Sequence, residues 1–375
     1  MTASARVLAL CILLPVASLS VFRAIPAEWP TPVVQLLSFT PWLVIPAALA
    51  LALALLGRRP AVTAAAVLFL GAQLFWLWAP DAGRADAGQA GDGQTEAGQT
   101  EAGQTEAGRT GAGASDPGST VPLTVMSINS RFGRADAAEI VRLVRDNGVG
   151  LLAIQEHTQA LEDRLAAEGL GSLLPHRISS PVNNGSGSAT YSKHPIQAIG
   201  LIPDTPFQMP TFRLTVPVAG AGNTSPGSTT SGNTSPGRAA ATLEVTNVHT
   251  LPPVAGRVGQ WRSDLESLGR LVARNGADGQ GNQLLLGDFN ATYDHFEFRR
   301  LLDGGPGGRK LVDVGTASGA RFTPTWPMDG RPLPGITIDH VVTSPGVPAS
   351  GYAVHRVART DHAAVLATLD APVNG

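Results

Sequence analysis

An α/β domain carried behind an apolar amino-terminal region is the fold class this sequence predicts, and three observations predict it. From Leu123 onward, short strand-type runs alternate with amphipathic helical patterns. Several of those runs border on a carboxylate, a carboxamide or an imidazole. The first 80 residues, by contrast, are nearly free of charge.

The chain has 375 residues, 43% of them hydrophobic, enough for one substantial globular domain plus additional segments. Its net charge of −2 is distorted by the stretch 81–120, which holds two Arg against seven Asp or Glu. From Leu123 onward there are 21 basic and 21 acidic residues, so the globular part is neutral. That argues against a protein coating long nucleic acid, which carries a basic footprint, and leaves small or local phosphate substrates open. The single cysteine, Cys11, excludes a disulfide within the chain and any metal site built from several cysteines.

Taken in order, Arg6 is followed by sixteen uncharged, mostly apolar residues to Phe22. This run is a membrane span or the apolar region of a signal peptide. Residues 30–57 carry no charge, Arg58-Arg59 interrupt, and residues 61–79 form a third apolar run ending in Phe75, Trp76 and Trp78. The expectation is a membrane region over 1–80, with spans near 7–22, 33–56 and 61–79. Arg58-Arg59 and Arg6 belong on the cytoplasmic side by the positive-inside rule. Residue 80 then lies outside, at the cell membrane's outer face, whether or not the first run is cleaved.

Residues 81–120 repeat Gly-Gln-Thr-Glu-Ala and are too polar to bury a core, so they read as a flexible tether. Random-coil scaling gives such a tether a reach of roughly 35 Å. A second low-complexity insertion, about 220–238, repeats Gly-Asn-Thr-Ser-Pro-Gly between strand-type runs at 212–218 and 241–248.

In the domain, residues 123–129, 150–154, 188–192, 284–286, 336–342 and 363–369 read as further strands. Helices are expected at 135–145, at 158–168, after His249 on Trp261, Leu265, Leu268 and Val272, and near 295–302. The acids Asp136 and Glu139 precede the bases Arg142 and Arg145, as the helix dipole prefers.

The domain is organised around Leu284-Leu285-Leu286-Gly287-Asp288-Phe289-Asn290. Three leucines end a buried strand, Gly287 turns the backbone, and alternation along an extended chain points Asp288 and Asn290 the same way. An Asx turn accounts for the fragment equally well. Its company is what weighs: Asn129, Glu156, Asn247 with His249, Asp339 with His340, and Asp361 with His362 all fall at strand boundaries. Strand ends from distant positions converge on one sheet edge, where sites are commonly built.

In their order along the chain, Ser127-Ile128-Asn129, Gln155-Glu156, Asn247-Val248-His249, Gly287-Asp288-Phe289-Asn290, Ile338-Asp339-His340 and Thr360-Asp361-His362 resemble the endonuclease/exonuclease/phosphatase superfamily. That group includes pancreatic-type deoxyribonucleases, apurinic endonucleases, neutral sphingomyelinases and inositol polyphosphate 5-phosphatases. The similarity covers about 121–371, with Gly-Asp-Phe-Asn and the terminal Asp-His its most specific parts. It implies a four-layer α/β sandwich with two central sheets and metal-dependent cleavage of a phosphoester.

The residue types suit that chemistry. Glu156, with Asn129 and Asp361, forms the expected ligand set for Mg²⁺ or Mn²⁺, hard cations that prefer oxygen donors. Asp288 would deprotonate a water and Asn290 would donate to the phosphoryl oxygen. His362 would contact phosphate with Asp339 fixing its tautomer, and His249 stands where many relatives place a phosphate-contacting His. Asn247 and Trp326 are candidate substrate contacts, although Trp326 packs equally well under its loop; for Asn129 the alternative reading is a strand cap. His340 reads as structural; His157, His176, His194, His295 and His355 read as surface or loop residues. No insertion suited to gripping a DNA duplex is visible. The expected function is therefore a membrane-anchored, outward-facing phosphoesterase acting on nucleic acid, phospholipid head groups or small phosphate esters, with no protein partner. A silent binding or scaffold domain of the same fold is the alternative.

Overall fold

The computed structural model describes residues 2–78, 119–218, 240–277, 281–304 and 308–374. Residues 81–118 of the expected tether, and all of the insertion expected at 220–238, lie outside them.

Three helical stretches in the amino-terminal part are long and apolar enough to cross a membrane: Ala3–Ala24, Thr40–Gly57 and Pro60–Trp78. Only 22, 28 and 11% of their most apolar windows is buried, so most of their hydrocarbon faces outward. They meet through small residues, Ala9, Ala50, Ala54 and Ala66, which let helix axes approach closely. The second stretch departs from expectation. Residues Thr31–Leu37 form a separate short helix, α2, after α1 (Thr2–Ala24), and the span begins only at Thr40. Pro41 has no N–H to give Leu37, whose carbonyl accepts the Thr40 hydroxyl at 2.7 Å instead, and the helix breaks there. A 3₁₀ turn, Thr40–Leu43, leads into α3 (Val44–Gly57), followed by α4 (Pro60–Trp78).

The rest is a mixed α/β fold on a large sheet. Strands β1 (Thr120–Asn129), β2 (Leu151–Gln155), β3 (His176–Ser180), β4 (Ser188–Ser192), β11 (Ala349–Arg356) and β12 (Ala363–Asn374) pair among themselves. Strands β5 (Ile196–Leu201), β6 (Pro210–Pro217), β7 (Ala240–His249), β8 (Asn282–Asp288), β9 (Val312–Asp313) and β10 (Asp339–Thr343) pair in a second group. The end of β12 joins the two, Val373 opposite Ala241.

The pattern of burial explains the packing. Leu123, Val125, Leu151 and Ala153 of the first group share one core with Leu243, Val245, Leu284 and Leu286 of the second. On the first group's other face, Met126, Ile128, Leu152 and Ile154 meet helix α5 (Ala137–Asp146) and α6 (Gln159–Ala167) through Ile140, Val144, Leu161 and Leu165. Beyond the second group lie α8 (Val258–Ala277) and α9 (Phe296–Leu302), which follow the one-turn α7 (Leu170–Leu173) in the chain; α10 (Val314–Ala317) comes next. Both helices start slightly later than expected, behind side-chain caps: the Asp136 carboxylate accepts from the Glu139 N–H, and the Thr158 hydroxyl from that of Leu161. The strand expected over 336–342 starts only at Asp339, and β3, β5, β9 and β11 had no clear sequence signal.

The domain does not stand apart from the helices. Val34 of α2 is buried in the core with Trp261, Leu265 and Phe298. Arg262 donates to the Trp29 carbonyl, and Arg321 to the Trp76 carbonyl at 2.8 Å. Arg23 at the end of α1 pairs with Asp294 at 2.8 Å. His295, expected at the surface or in a loop, lies outside regular structure just before a helix, yet it is fully buried with Nε2 2.9 Å from the Val34 carbonyl oxygen. These contacts fix the domain against the helix ends, where the sequence alone suggested a site roaming at the end of a tether.

Candidate active site

The parallel pairing of β7 with β8 sets His249 opposite Asp288, and antiparallel β10 sets Asp339 on the other side of Asp288. Across the shared core, β1 and β2 end at Asn129 and Gln155, with Glu156 next. Strand ends remote in sequence thus meet at one mouth, with His362 entering from the turn before β12.

Asp288 sits at the centre, 1% exposed. Its Oδ1 accepts the Asn290 N–H at 2.8 Å; its Oδ2 accepts Asn129 Nδ2 at 3.0 Å and Asn290 Nδ2 at 3.3 Å. His249 Nε2 and His362 Nε2 stand 3.9 and 3.8 Å from that same oxygen. Burial, reinforced by the Asp339 charge, pushes the Asp288 carboxyl up to about 7. Gly287 permits this crowding: at φ +152°, a Cβ there would come 2.0 Å from the Val248 carbonyl oxygen.

His362 is held on the opposite side of its ring. Its Nδ1 lies 3.1 and 3.0 Å from the two oxygens of Asp339. Burial works against its charge, but the Asp339 and Asp288 carboxylates outweigh that and raise it to about 10. His249 goes the other way: burial and the His362 charge push it down to about 3, so it is neutral. Phe207 stacks on its ring at 4.4 Å.

Asn290 converges on Asp288 by a route the alternation argument missed. The strand stops at Asp288, and Asn290 turns back in the left-handed region at φ 46°, closing an Asx turn. Its Nδ2 is spent on the Thr250 carbonyl, at 2.9 Å, and on Asp288. The amide therefore orients the carboxylate.

Glu156 leaves β2 with φ 55°, its Oε2 accepting the Phe132 N–H at 2.7 Å and its Oε1 Asn129 Nδ2 at 3.2 Å. Burial raises its pKa, and the neighbouring Asp361 adds to the rise. Asn129 thus bridges Glu156 and Asp288, while its Oδ1 accepts the Arg131 N–H at 3.0 Å. Asp361 stands at the rim, 3.0 Å from Arg331 and 3.3 Å from Trp326 Nε1. Trp326 lies at that rim with Arg331 over its ring.

Glu156, whose pKa the nearby Asp361 charge helps to raise, offers carboxylate oxygens of the kind a hard divalent cation takes. The carboxylates Asp288 and Asp339 with His362 also offer three donor atoms within 4.8 Å of one another. With His362 charged between the two carboxylates, the same trio is equipped for acid–base work.

Asn247 is not in the mouth. It points the same way as His249 on β7 but two residues deeper, fully buried between the strand groups. Its Oδ1 accepts Gln155 Nε2 at 2.7 Å and its Nδ2 donates to the Ala189 carbonyl at 3.0 Å. The expected substrate contact is a structural amide. His340 is structural as expected, Nδ1 3.3 Å from Asp313 and Nε2 2.9 Å from the Ala291 carbonyl oxygen. His157, expected at the surface or in a loop, lies in a loop but is fully buried beside Glu162. Sequence reasoning passed over Phe207, Phe132, Gln155 and Arg331; of these only Gln155, polar at the end of a buried strand, carried a signal.

Comparison with known proteins agrees in family. The family model described as "Endonuclease/Exonuclease/phosphatase family" matches residues 126–362. Similar solved structures include a zebrafish (D. rerio) TDP2 complexed with single-strand DNA product, at 14% identity and TM-score 0.46, covering 66% of this chain and 99% of that one. An endonuclease/exonuclease/phosphatase from Beutenbergia cavernae has 18% identity and TM-score 0.44, covering 67% of this chain and 72% of that one. Sphingomyelinase C from Streptomyces griseocarneus has 16% identity and TM-score 0.44, covering 66% of this chain and 99% of that one. No curated protein matches the sequence.

Proposed function

Because the chain belongs to the endonuclease/exonuclease/phosphatase family, whose members are generally metal-dependent phosphoester hydrolases, we propose that it is a membrane-anchored, outward-facing phosphoesterase. The observation that carries this reading is His362, a charged imidazole held by Asp339 through Nδ1 with Nε2 turned toward Asp288. The finer architecture belongs to the same proposal: four layers with two sheets at the centre, on residues 121–371 behind a membrane region over 1–80. The core shared by the two strand groups, with helices beyond each, supports it.

Asp288, poised near neutrality, takes the proton of a water placed against the phosphorus. Asn290 and Asn129 hold its two oxygens so that one stays aimed at that water. His362 donates Nε2–H to the phosphoryl oxygen as charge builds there, and Asp339 keeps the proton on the ring. Neutral His249, braced by Phe207, supplies a second donor without adding charge. Glu156, with Asp361 and Asn129 beside it, would hold Mg²⁺ or Mn²⁺, which supplies positive charge to the phosphate and the leaving oxygen. Trp326 at the rim is a substrate-stacking surface.

Orientation rests on the helix ends. Arg6 donates to the Gly57 carbonyl, next to Arg58-Arg59, at the end away from the domain. The positive-inside rule then makes the domain external.

The test assays the full chain in detergent on bis-p-nitrophenyl phosphate, plasmid DNA and sphingomyelin with Mg²⁺ or Mn²⁺, with and without EDTA. Metal-dependent turnover lost in Asp288→Ala and in His362→Ala is the expected result. Turnover surviving both substitutions sinks the site assignment.

A further inference from the structure

A cavity of about 330 Å³ lies between the helices and the domain, at the small end of the roughly 300–1,000 Å³ of ligand pockets. Trp42, Ile45 and Leu77 wall it on the helix side, Phe322 and Ile336 on the domain side, with Arg321 among its lining residues. The helix-side residues lie at the domain-facing ends of the candidate spans, at the depth of lipid head groups when those spans are embedded.

Arg321 is 92% buried (8% exposed). Its Nη1 donates to the Trp76 carbonyl and its Nη2 to Asp294 Oδ1 at 3.0 Å, but its Nε has no partner. The Tyr293 and Phe322 rings flank the guanidinium at 4.6 and 4.9 Å. Asp294 is already shared: Arg23 Nε reaches the same Oδ1 at 2.8 Å. A third guanidinium, Arg299, donates to the Tyr293 carbonyl at 2.9 Å. Among the described residues the buried members, Arg23 and Arg321, bring two positive charges against the single buried carboxylate of Asp294; Arg299 is part-buried, the Asp303 carboxylate nearby is exposed, and Glu297 is taken by Arg262 at 2.9 Å. Buried charge without a counter-ion is expensive, so the arrangement calls for an anion.

We propose that this cavity binds one anionic phospholipid, its phosphate set against the Arg321 group and one acyl chain lying along Trp42, Ile45 and Leu77. The apolar wall continues into hydrocarbon-facing surface, Ile45 being 62% exposed, so a chain entering from the bilayer has a path that a soluble anion does not need. The site is separate from the catalytic mouth yet adjoins it through the chain: His340 lines the cavity and its neighbour Asp339 holds His362. The lipid is a resident ligand, and the inference rests on the reading that the helices are embedded in a membrane.

The test is native mass spectrometry of the full chain, exchanged into nonionic detergent and then offered phosphatidylglycerol or phosphatidylcholine. One phosphatidylglycerol per chain is expected, with preference over phosphatidylcholine. Arg321→Gln should lower its retention about tenfold, the scale of one charge-assisted hydrogen bond. Ile45→Trp fills the chain path while sparing every arginine, and should abolish retention with the melting temperature in phosphatidylcholine nanodiscs unchanged. Absence of bound phosphatidylglycerol in the wild-type chain, equal retention of the two lipids, or undiminished retention by Ile45→Trp overturns the proposal. Fractionation of the cells separates this from the reading beneath it. A chain washed off membranes by alkaline carbonate defeats the anchored reading, whereas a membrane-held chain without bound lipid defeats this inference alone.

Discussion

Asp339 grips His362 with both carboxylate oxygens, 3.1 and 3.0 Å from Nδ1, and so aims Nε2 at Asp288 on the neighbouring strand. Asp339→Asn removes the charge that keeps the imidazole protonated and can present its amide to the wrong nitrogen. Turnover should fall roughly 10²-fold, the lower range for losing one acid–base partner. Steady-state kinetics would show it, with KM little changed and the alkaline limb of the pH profile moved to lower pH. A profile unchanged in shape would mean that Asp339 does not set the His362 charge.

The same two groups set the pH dependence. Asp288 works as a base only when ionised, so kcat/KM should rise as pH passes about 7. His362 works only when charged, so activity should fall as pH passes about 10. The two limbs belong to a coupled pair. A bound cation, favouring carboxylate, moves the lower limb down. Rate profiles at low and saturating Mg²⁺ would test this, and a limb that rose with Mg²⁺ would contradict it.

Asn247 lies at the floor of the cleft, not in it. Asn247→Ala leaves one N–H of Gln155 Nε2 without its acceptor in the core while the other keeps Ser127 Oγ, which costs about 1–3 kcal/mol. Thermal unfolding should report that loss while KM for any cleaved substrate stays as in the parent. A raised KM at unchanged stability would restore the substrate contact that the sequence suggested.

His340 and Asp313 form a buried pair whose stabilisation has a pH window. For His340, burial favours the neutral form, but Asp313 outweighs it and raises its pKa; its contribution is complete below the unfolded value and fades as pH rises through the raised one. Burial opposes ionisation of Asp313, but His340 outweighs it and lowers its pKa; that contribution is present above the unfolded value and fades as pH falls through the lowered one. Asp313→Ala should destabilise the chain by about 3–5 kcal/mol at neutral pH, since it leaves a buried partner alone. Calorimetry of the full chain in detergent would measure it.

Asp294 holds the domain to the helices by accepting from Arg23 and Arg321 together. Asp294→Ala leaves those guanidinium groups buried and uncompensated, and should cost about 3–5 kcal/mol. Limited proteolysis near Tyr293 should accelerate accordingly. Unchanged cleavage would show that the docking does not depend on this carboxylate.

Much of the domain was legible because its signals are local. Three leucines, a glycine and two Asx residues specify the strand and turn at Asp288 wherever they occur, and helix α5 carries its own cap in Asp136. Strands β3, β5 and β11 were illegible because exposed residues break their alternation. The separate helix α2 was illegible because Val34, one residue in an apolar run, looks the same facing lipid as facing Trp261.

The sequence by itself determined the α/β class, the three apolar stretches and the residue types at the mouth, since each rests on periodicity, charge or short-range order, and the order of its motifs carried the resemblance to the family. Tertiary structure alone decided how those residues are used. It paired β7 and β10 on either side of β8, so that His249 became neutral and His362 charged although both are buried imidazoles. It drew Asn247 into the core and His295 into the dock. A side chain's pKa and partners depend on what lies within a few ångströms in space, and chain order does not encode that distance.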